Sequence, residues 1–230
     1  MIKVIKSNTV NKDIIQLSKE YSKIFDNKIP ILYNQFYESE YQILFIGLNP
    51  SFSENLKKGF NGNEEDYDKF FTKTIANNDI EKIIQAHEKS IENYPYFNKF
   101  KEIEKSTGLK FAHVDLFHCR RTSQSKFVEI LDNKEYEFFI EKSISILKEL
   151  INQIKPKIIV IENTKTRDIL SRDFNHFPKI DDVNSLYGTP VLGNTPIFYT
   201  SMLTGQRALD LGSFHRLVWH IKNCISILEK

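Results

Sequence analysis

The chain reads as an α/β protein, a three-layer α/β/α arrangement around a central four-stranded, mainly parallel sheet. Two observations lead there. Four short apolar runs, Gln42 to Ile46, Phe111 to Phe117, Lys157 to Ile161 and Pro196 to Thr200, are separated by longer amphipathic segments. Runs that are apolar without strict alternation suit strands buried on both faces, and strand–helix alternation is the pattern of a parallel sheet covered by helices.

The elements follow in order. An N-terminal helix is expected near Asp13 to Phe25. The first strand ends at Gly47, and residues 51–78 form a long connection containing Gly59, Gly62 and the acidic NEEDYD. Residues 79–106 read as helical with an interruption at Pro95, since an interior proline removes a hydrogen bond and clashes with the preceding turn. From Glu135 to Ile154, apolar residues at Phe138, Ile140, Ile144, Leu147, Ile151 and Ile154 make a helical stripe that Pro156 ends. A last helix follows Gly212, with Ser213 as its expected cap and Phe214, Leu217, Val218, Ile221 and Ile225 on one face.

At 230 residues, one domain over 1–230 is expected, with residues 1–40 as a helical extension packed on it. The 32 Lys and Arg against 30 Asp and Glu leave a net charge of +2, too small to demand a polyanionic partner. Two cysteines, Cys119 and Cys224, are too few for an iron–sulfur cluster and lack zinc spacing, so both are expected as small buried hydrophobes. No metal or other cofactor is expected. The start, MIKVIKSNTVNKD, lacks an apolar signal core, and no run approaches the ~18 apolar residues of a membrane span. A soluble, cytoplasmic setting and a monomer are the expectation.

In open parallel sheets ligands sit beyond the carboxyl ends of the strands. Those ends carry Asn49-Pro50-Ser51, Asp115 to Arg121, Glu162-Asn163-Thr164 and Ser201 to Arg207. In ILFIGLNPS, Gly47 permits a tight turn and Pro50 stiffens it, holding the Asn49 amide at the sheet edge; an Asx-type turn is the competing reading. Asp115 lies inside an apolar run, where a carboxylate is costly unless paired or functional. Arg120 and Arg121 follow it and could form a buried ion pair with it. His118 reads as a surface or packing histidine. The loop from Thr200 to Arg207 offers hydroxyls at Thr200, Ser201 and Thr204, then Gly205, Gln206 and Arg207; taken alone it is a helix-entry loop.

Together these segments resemble the uracil-DNA glycosylase superfamily. GLNPS is similar to its first motif, nearest the Gly-Ile-Asn-Pro-Gly form of the mismatch-specific uracil/thymine branch. VDLFHCRR resembles the second-strand segment, of which Asn-Val-Val-Lys-Cys-Arg-Pro is one form, and SMLTGQR takes the place of the closing motif. The resemblance implies a glycosylase-like fold from about residue 40 onward and DNA as the partner. It implies that Asn49 positions the water attacking the sugar C1′, with Ser201 and Asp115 as further catalytic residues. Leu48, Pro50, Phe52 or Phe60, and Asp115 would contact the extruded base. Ser51, Arg120, Arg121, Thr200, Thr204 and Gly205 would hold DNA, and Gln206 or Arg207 would fill the gap left by the flipped base.

Two departures shape the expected chemistry. Aligning Cys119-Arg120 with the family's Cys-Arg puts Asp115 where uracil-reading enzymes carry Asn. An ionised Asp accepts only, so it suits an exocyclic amine and disfavours uracil O4. A cytosine-type base, plain or modified, is therefore the expected target, in base repair or in defence against phage DNA with modified bases. The closing motif also lacks His and Pro, and His215 lies too far along to replace that His. No Lys stands at a motif position, so lyase chemistry is not expected. Two other classes remain open: a non-catalytic DNA-binding or sensing protein of the same fold, and a nucleoside-handling α/β enzyme.

Overall fold

A computed structural model describes residues 9–26, 28–34, 36, 40–50, 80–121, 123–173, 191–192, 195–205 and 208–228. The chain divides into two compact units, each assembled from separated segments. The first comprises Met1–Phe36, Asn49–Tyr94 and Asp115–Leu150, and the second Tyr37–Leu48, Pro95–Val114 and Ile151–Lys230.

The second unit contains the sheet. Strands β1 (Ile43–Gly47), β2 (Phe111–Asp115), β3 (Ile158–Ile161), β4 (Val191–Leu192) and β5 (Thr195–Tyr199) lie in the order β2-β1-β3-β5-β4. Four strands are parallel and flanked by helices, the α/β class that the apolar runs imply. In the register, Ile43 sits opposite Ile158 and Ile161 opposite Tyr199, while β4 pairs antiparallel with β5 through Leu192 and Thr195. Every residue of β1 and β3 is buried, which is why these strands are continuously apolar. Phe45 meets Phe100 edge-on at 4.9 Å between ring centroids. Phe100 belongs to α4 (Asn98–Thr107), which Gly108 ends at φ 73°, in the left-handed region.

The last helix, α8 (Leu211–Leu228), starts earlier than the expected Ser213 cap. Asp210 caps it instead: its carboxylate accepts from the Ser213 N–H at 2.9 Å and from the Ser213 hydroxyl at 2.6 Å. These hydrogen bonds hold the Asp210 carboxyl below its usual range. An aspartate three residues before Ser213 reaches the orphan N–H groups that a cap must satisfy, so Ser213 becomes its partner.

The first unit is helical. The expected N-terminal helix is two pieces, α1 (Thr9–Glu20) and α2 (Ser22–Phe25), followed by α3 (Ile80–Asn93), α5 (Gln124–Leu131) and α6 (Glu137–Ile154), whose last turn belongs to the second unit. Proline punctuation falls as expected: a 3-10 turn spans Pro95–Phe97, and α6 stops at Ile154, two residues before Pro156. Phe139 anchors the core, stacked on Phe117 at 5.5 Å and edge-on to Phe25 at 6.2 Å. Asn11 on α1 imitates a backbone partner: its amide nitrogen donates to Tyr33 O at 2.8 Å while its oxygen accepts from Tyr33 N–H at 3.0 Å. The N-terminal segment thus fixes the chain at Tyr33, a residue of the candidate site. Helix α7 (Thr164–Asp173) completes the second unit. No helix among the described residues is long and apolar enough to cross a membrane.

Candidate functional site

In the first unit, Asn49 is partly buried, and its carboxamide orientation is fixed by chemistry. Its Nδ2 donates to Arg121 O at 2.8 Å and to Pro50 O at 3.2 Å. Both partners are carbonyl oxygens, so only the NH2 group fits there. Oδ1 accepts no hydrogen bond among the described residues. The Arg121 N–H donates to Pro50 O at 3.1 Å and ties the same turn from the other side.

Behind this turn lies a buried polar network. Asp115 and Arg120 are each only 4% exposed, and their opposite charges both act on the Tyr33 phenol. Tyr33 Oη accepts from the Asp115 N–H at 3.1 Å and lies 3.3 Å from His118 Nδ1. Burial first, and then the Asp115 charge, hold the phenol well above its ordinary pKa; the hydrogen bond from Asp115 and the Arg120 charge oppose that rise. Complete burial pushes His118 down to about 3, so this imidazole is neutral at neutral pH. Of the two expected roles for His118, packing is the one realised. Asn49 and Asp115 lie in the same unit, joined through the Arg120-Arg121 segment: Asn49 holds the backbone of Arg121, and Asp115 shares the Tyr33 environment with Arg120.

Arg121 is directed inward. Its Nε donates to Ile24 O at 2.8 Å, its Nη2 to Lys23 O at 2.7 Å, and its Nη1 lies 3.7 Å from the Asp26 carboxylate. It closes the C-terminus of α2, where orphan carbonyls need donors. Arg120 is buried, while the Arg121 side chain is partly exposed. Leu48, expected at the base, is buried at 3% exposure. Both cysteines are free and buried, as expected, and burial pushes the Cys224 thiol up to about 11.

The second unit holds its own polar strand end. Glu162 follows β3 and is 1% exposed. Its Oε1 lies 2.8 Å from His113 Nε2 and accepts from Tyr96 Oη at 3.2 Å. Asn163 caps α7, its Oδ1 accepting from the N–H groups of Lys165 and Thr166 at 2.9 and 3.3 Å. Thr200 N–H donates to Ile161 O at 2.9 Å, which sets the start of the closing loop beside the end of β3. In that loop Ser201 is exposed, Thr204 is partly buried, and Gly205 adopts φ 94°, a conformation that favours glycine. The loop folds on itself, Leu209 N–H donating to Met202 O at 2.9 Å.

Ser51, Phe52, Phe60, Gln206 and Arg207 lie outside the described residues. Sequence reasoning assigned no part to Tyr33, Tyr96 or His113, and noted Glu162 only as a polar strand end. Among the described residues, no group of three His, Cys, Asp or Glu side chains is placed to hold a metal ion. No protein-family model matches the chain, and no curated protein matches it.

Proposed function

We propose that this protein is a monofunctional DNA glycosylase of the uracil-DNA glycosylase type, acting in the cytoplasm on an extruded, cytosine-type base. The observation that carries the reading is the anchored Asn49 carboxamide. With its NH2 committed to the Arg121 and Pro50 carbonyls, its Oδ1 is set to accept a hydrogen bond from one water. Asn is a poor base, but N-glycosidic cleavage proceeds through an oxocarbenium-like state that a well-oriented water can capture. The water oxygen bonds to C1′ as the C1′–N bond breaks. The base departs with the electron pair and is protonated, the water loses a proton, and an abasic sugar remains.

Asp115 supports the choice of base. As an ionised carboxylate, Asp115 would accept from an exocyclic amine and repel a carbonyl oxygen. In this reading Ser201, Thr200 and Thr204 supply hydroxyls to the DNA backbone or to the leaving base, in the role of the family's closing motif. Duplex oligonucleotides carrying uracil, a thymine mismatch, cytosine or modified cytosines test the reading through alkali-labile sites. Cleavage at cytosine-type positions that Asn49→Ala abolishes supports it. Salt-sensitive DNA binding that survives Asn49→Ala with no alkali-labile site identifies a non-catalytic binder instead.

A further inference from the structure

Glu162 has an unmet requirement. Oε1 is engaged by both His113 and Tyr96, while Oε2 is buried and has no hydrogen-bond partner among the described residues. A buried carboxylate oxygen without a donor is costly, because desolvation is not offset. Two further oxygens of the same unit are in the same condition: the hydroxyls of Thr166, in the first turn of α7, and of Thr204, in the loop after β5. All three follow the carboxyl ends of the neighbouring parallel strands β3 and β5, the place where open parallel sheets take ligands.

We infer that Glu162, with the hydroxyls of Thr166 and Thr204, forms a binding site for the amidine edge of an aminated nucleobase. Such an edge is an exocyclic amine beside an unprotonated ring nitrogen, as in cytosine or adenine. The amine N–H donates to Glu162 Oε2, and a threonine hydroxyl donates to the ring nitrogen. The hydrogen bonds on Oε1 from Tyr96 and His113 hold the carboxylate in one orientation, so the free oxygen is preset for one donor. Uracil and hypoxanthine carry a carbonyl and a ring N–H along the same edge, and their oxygen would oppose the carboxylate. The inference does not rest on the glycosylase reading, because free nucleosides are its ligands and Asn49 takes no part.

The test is calorimetry and thermal unfolding of the full chain with 2′-deoxycytidine, 2′-deoxyadenosine, 2′-deoxyuridine and 2′-deoxyinosine. The two aminated nucleosides separate a pyrimidine from a purine site, and at least one should raise Tm by about 2–4 °C at saturating concentration. The carbonyl nucleosides should leave Tm unchanged. Glu162→Gln, folded by circular dichroism, should weaken binding by about ten-fold or more. Thr166→Val retains the carboxylate and should weaken it several-fold, which keeps the test decisive if Glu162→Gln does not fold. Failure of both aminated nucleosides to bind (the result if Oε2 holds only an internal water), equal binding of the carbonyl nucleosides, or undiminished binding by the folded variants overturns the proposal.

Discussion

Around Asn49 the carboxamide nitrogen is held by two backbone carbonyls, whereas around Glu162 the carboxylate is engaged through one oxygen and its second oxygen is buried without a hydrogen-bond partner among the described residues. In the first unit, Arg121 donates to two carbonyls of α2, Tyr33 receives the Asp115 N–H, and Asn49 holds the Arg121 carbonyl. In the second, Glu162 is held by one oxygen only, and the hydroxyls of Thr166 and Thr204 are buried without a partner among the described residues. Two carbonyl acceptors on one NH2 group fix the orientation of the Asn49 carboxamide, while the same unit keeps the buried His118 Nε2 without a partner among the described residues. The second oxygen of Glu162 has capacity for an outside donor. Orientation and recognition therefore make different demands on buried polar groups.

The largest expected effect comes from the buried His118 imidazole of the first unit. Above its ordinary value of 6.5, His118 is neutral in both states. As the pH falls, the unfolded chain takes up the proton, while the folded chain does not until about 3. Stability is thus full above pH 6.5 and declines across that window by about 1.4 kcal/mol per pH unit, roughly 4–5 kcal/mol in all. Urea titrations at stepped pH should show the decline, and His118→Gln should flatten it; an unchanged slope would mean that His118 is accessible to protons.

Changing the acceptor at the next point of the network is expected to alter selectivity. Asp115→Asn restores a side chain with both donor and acceptor, and the ratio of cytosine-type to uracil release should shift toward uracil by about 10²-fold, as a good bidentate contact allows. An unchanged ratio would make Asp115 a structural partner of the network alone.

Arg121→Ala should lower stability by about 1–3 kcal/mol, since it leaves the Lys23 and Ile24 carbonyls without their donor. DNA affinity should change little, because the guanidinium is directed inward; a large loss of salt-sensitive binding with stability intact would reverse that assignment. Tyr33→Phe should be milder, about 1 kcal/mol, because the Asp115 N–H loses its acceptor and His118 Nδ1 its hydroxyl partner. At the alkaline end, the raised Tyr33 pKa stabilises the fold up to pH 10, the unfolded value, and that contribution is lost as the pH rises further.

The sheet was legible because strands buried on both faces are continuously apolar, and β1, β2, β3 and β5 each fall on such a run. The two-residue β4 and the short α5 and α7 carry too little pattern to be read. Legibility also fails with distance along the chain. The acceptors of Arg121 lie 97 and 98 residues upstream, so its part in closing α2 could not be read from the RR pair itself. Glu162 finds His113 and Tyr96 at separations of 49 and 66 residues, which no local motif reports. Asn49 was legible because its turn is local: Gly47 and Pro50 flank it, and only the far carbonyl of Arg121 had to be learned from the structure.

Mass spectrometry of the bases released from oligonucleotides containing uracil, cytosine, hydroxymethylcytosine or glycosylated cytosine addresses the central claim most directly. Release of a cytosine-type base by the unaltered protein, slowed by about 10²-fold or more in Asn49→Ala while its fold is retained, is the expected result. No free base from any of these strands, or equal release by Asn49→Ala, would contradict it.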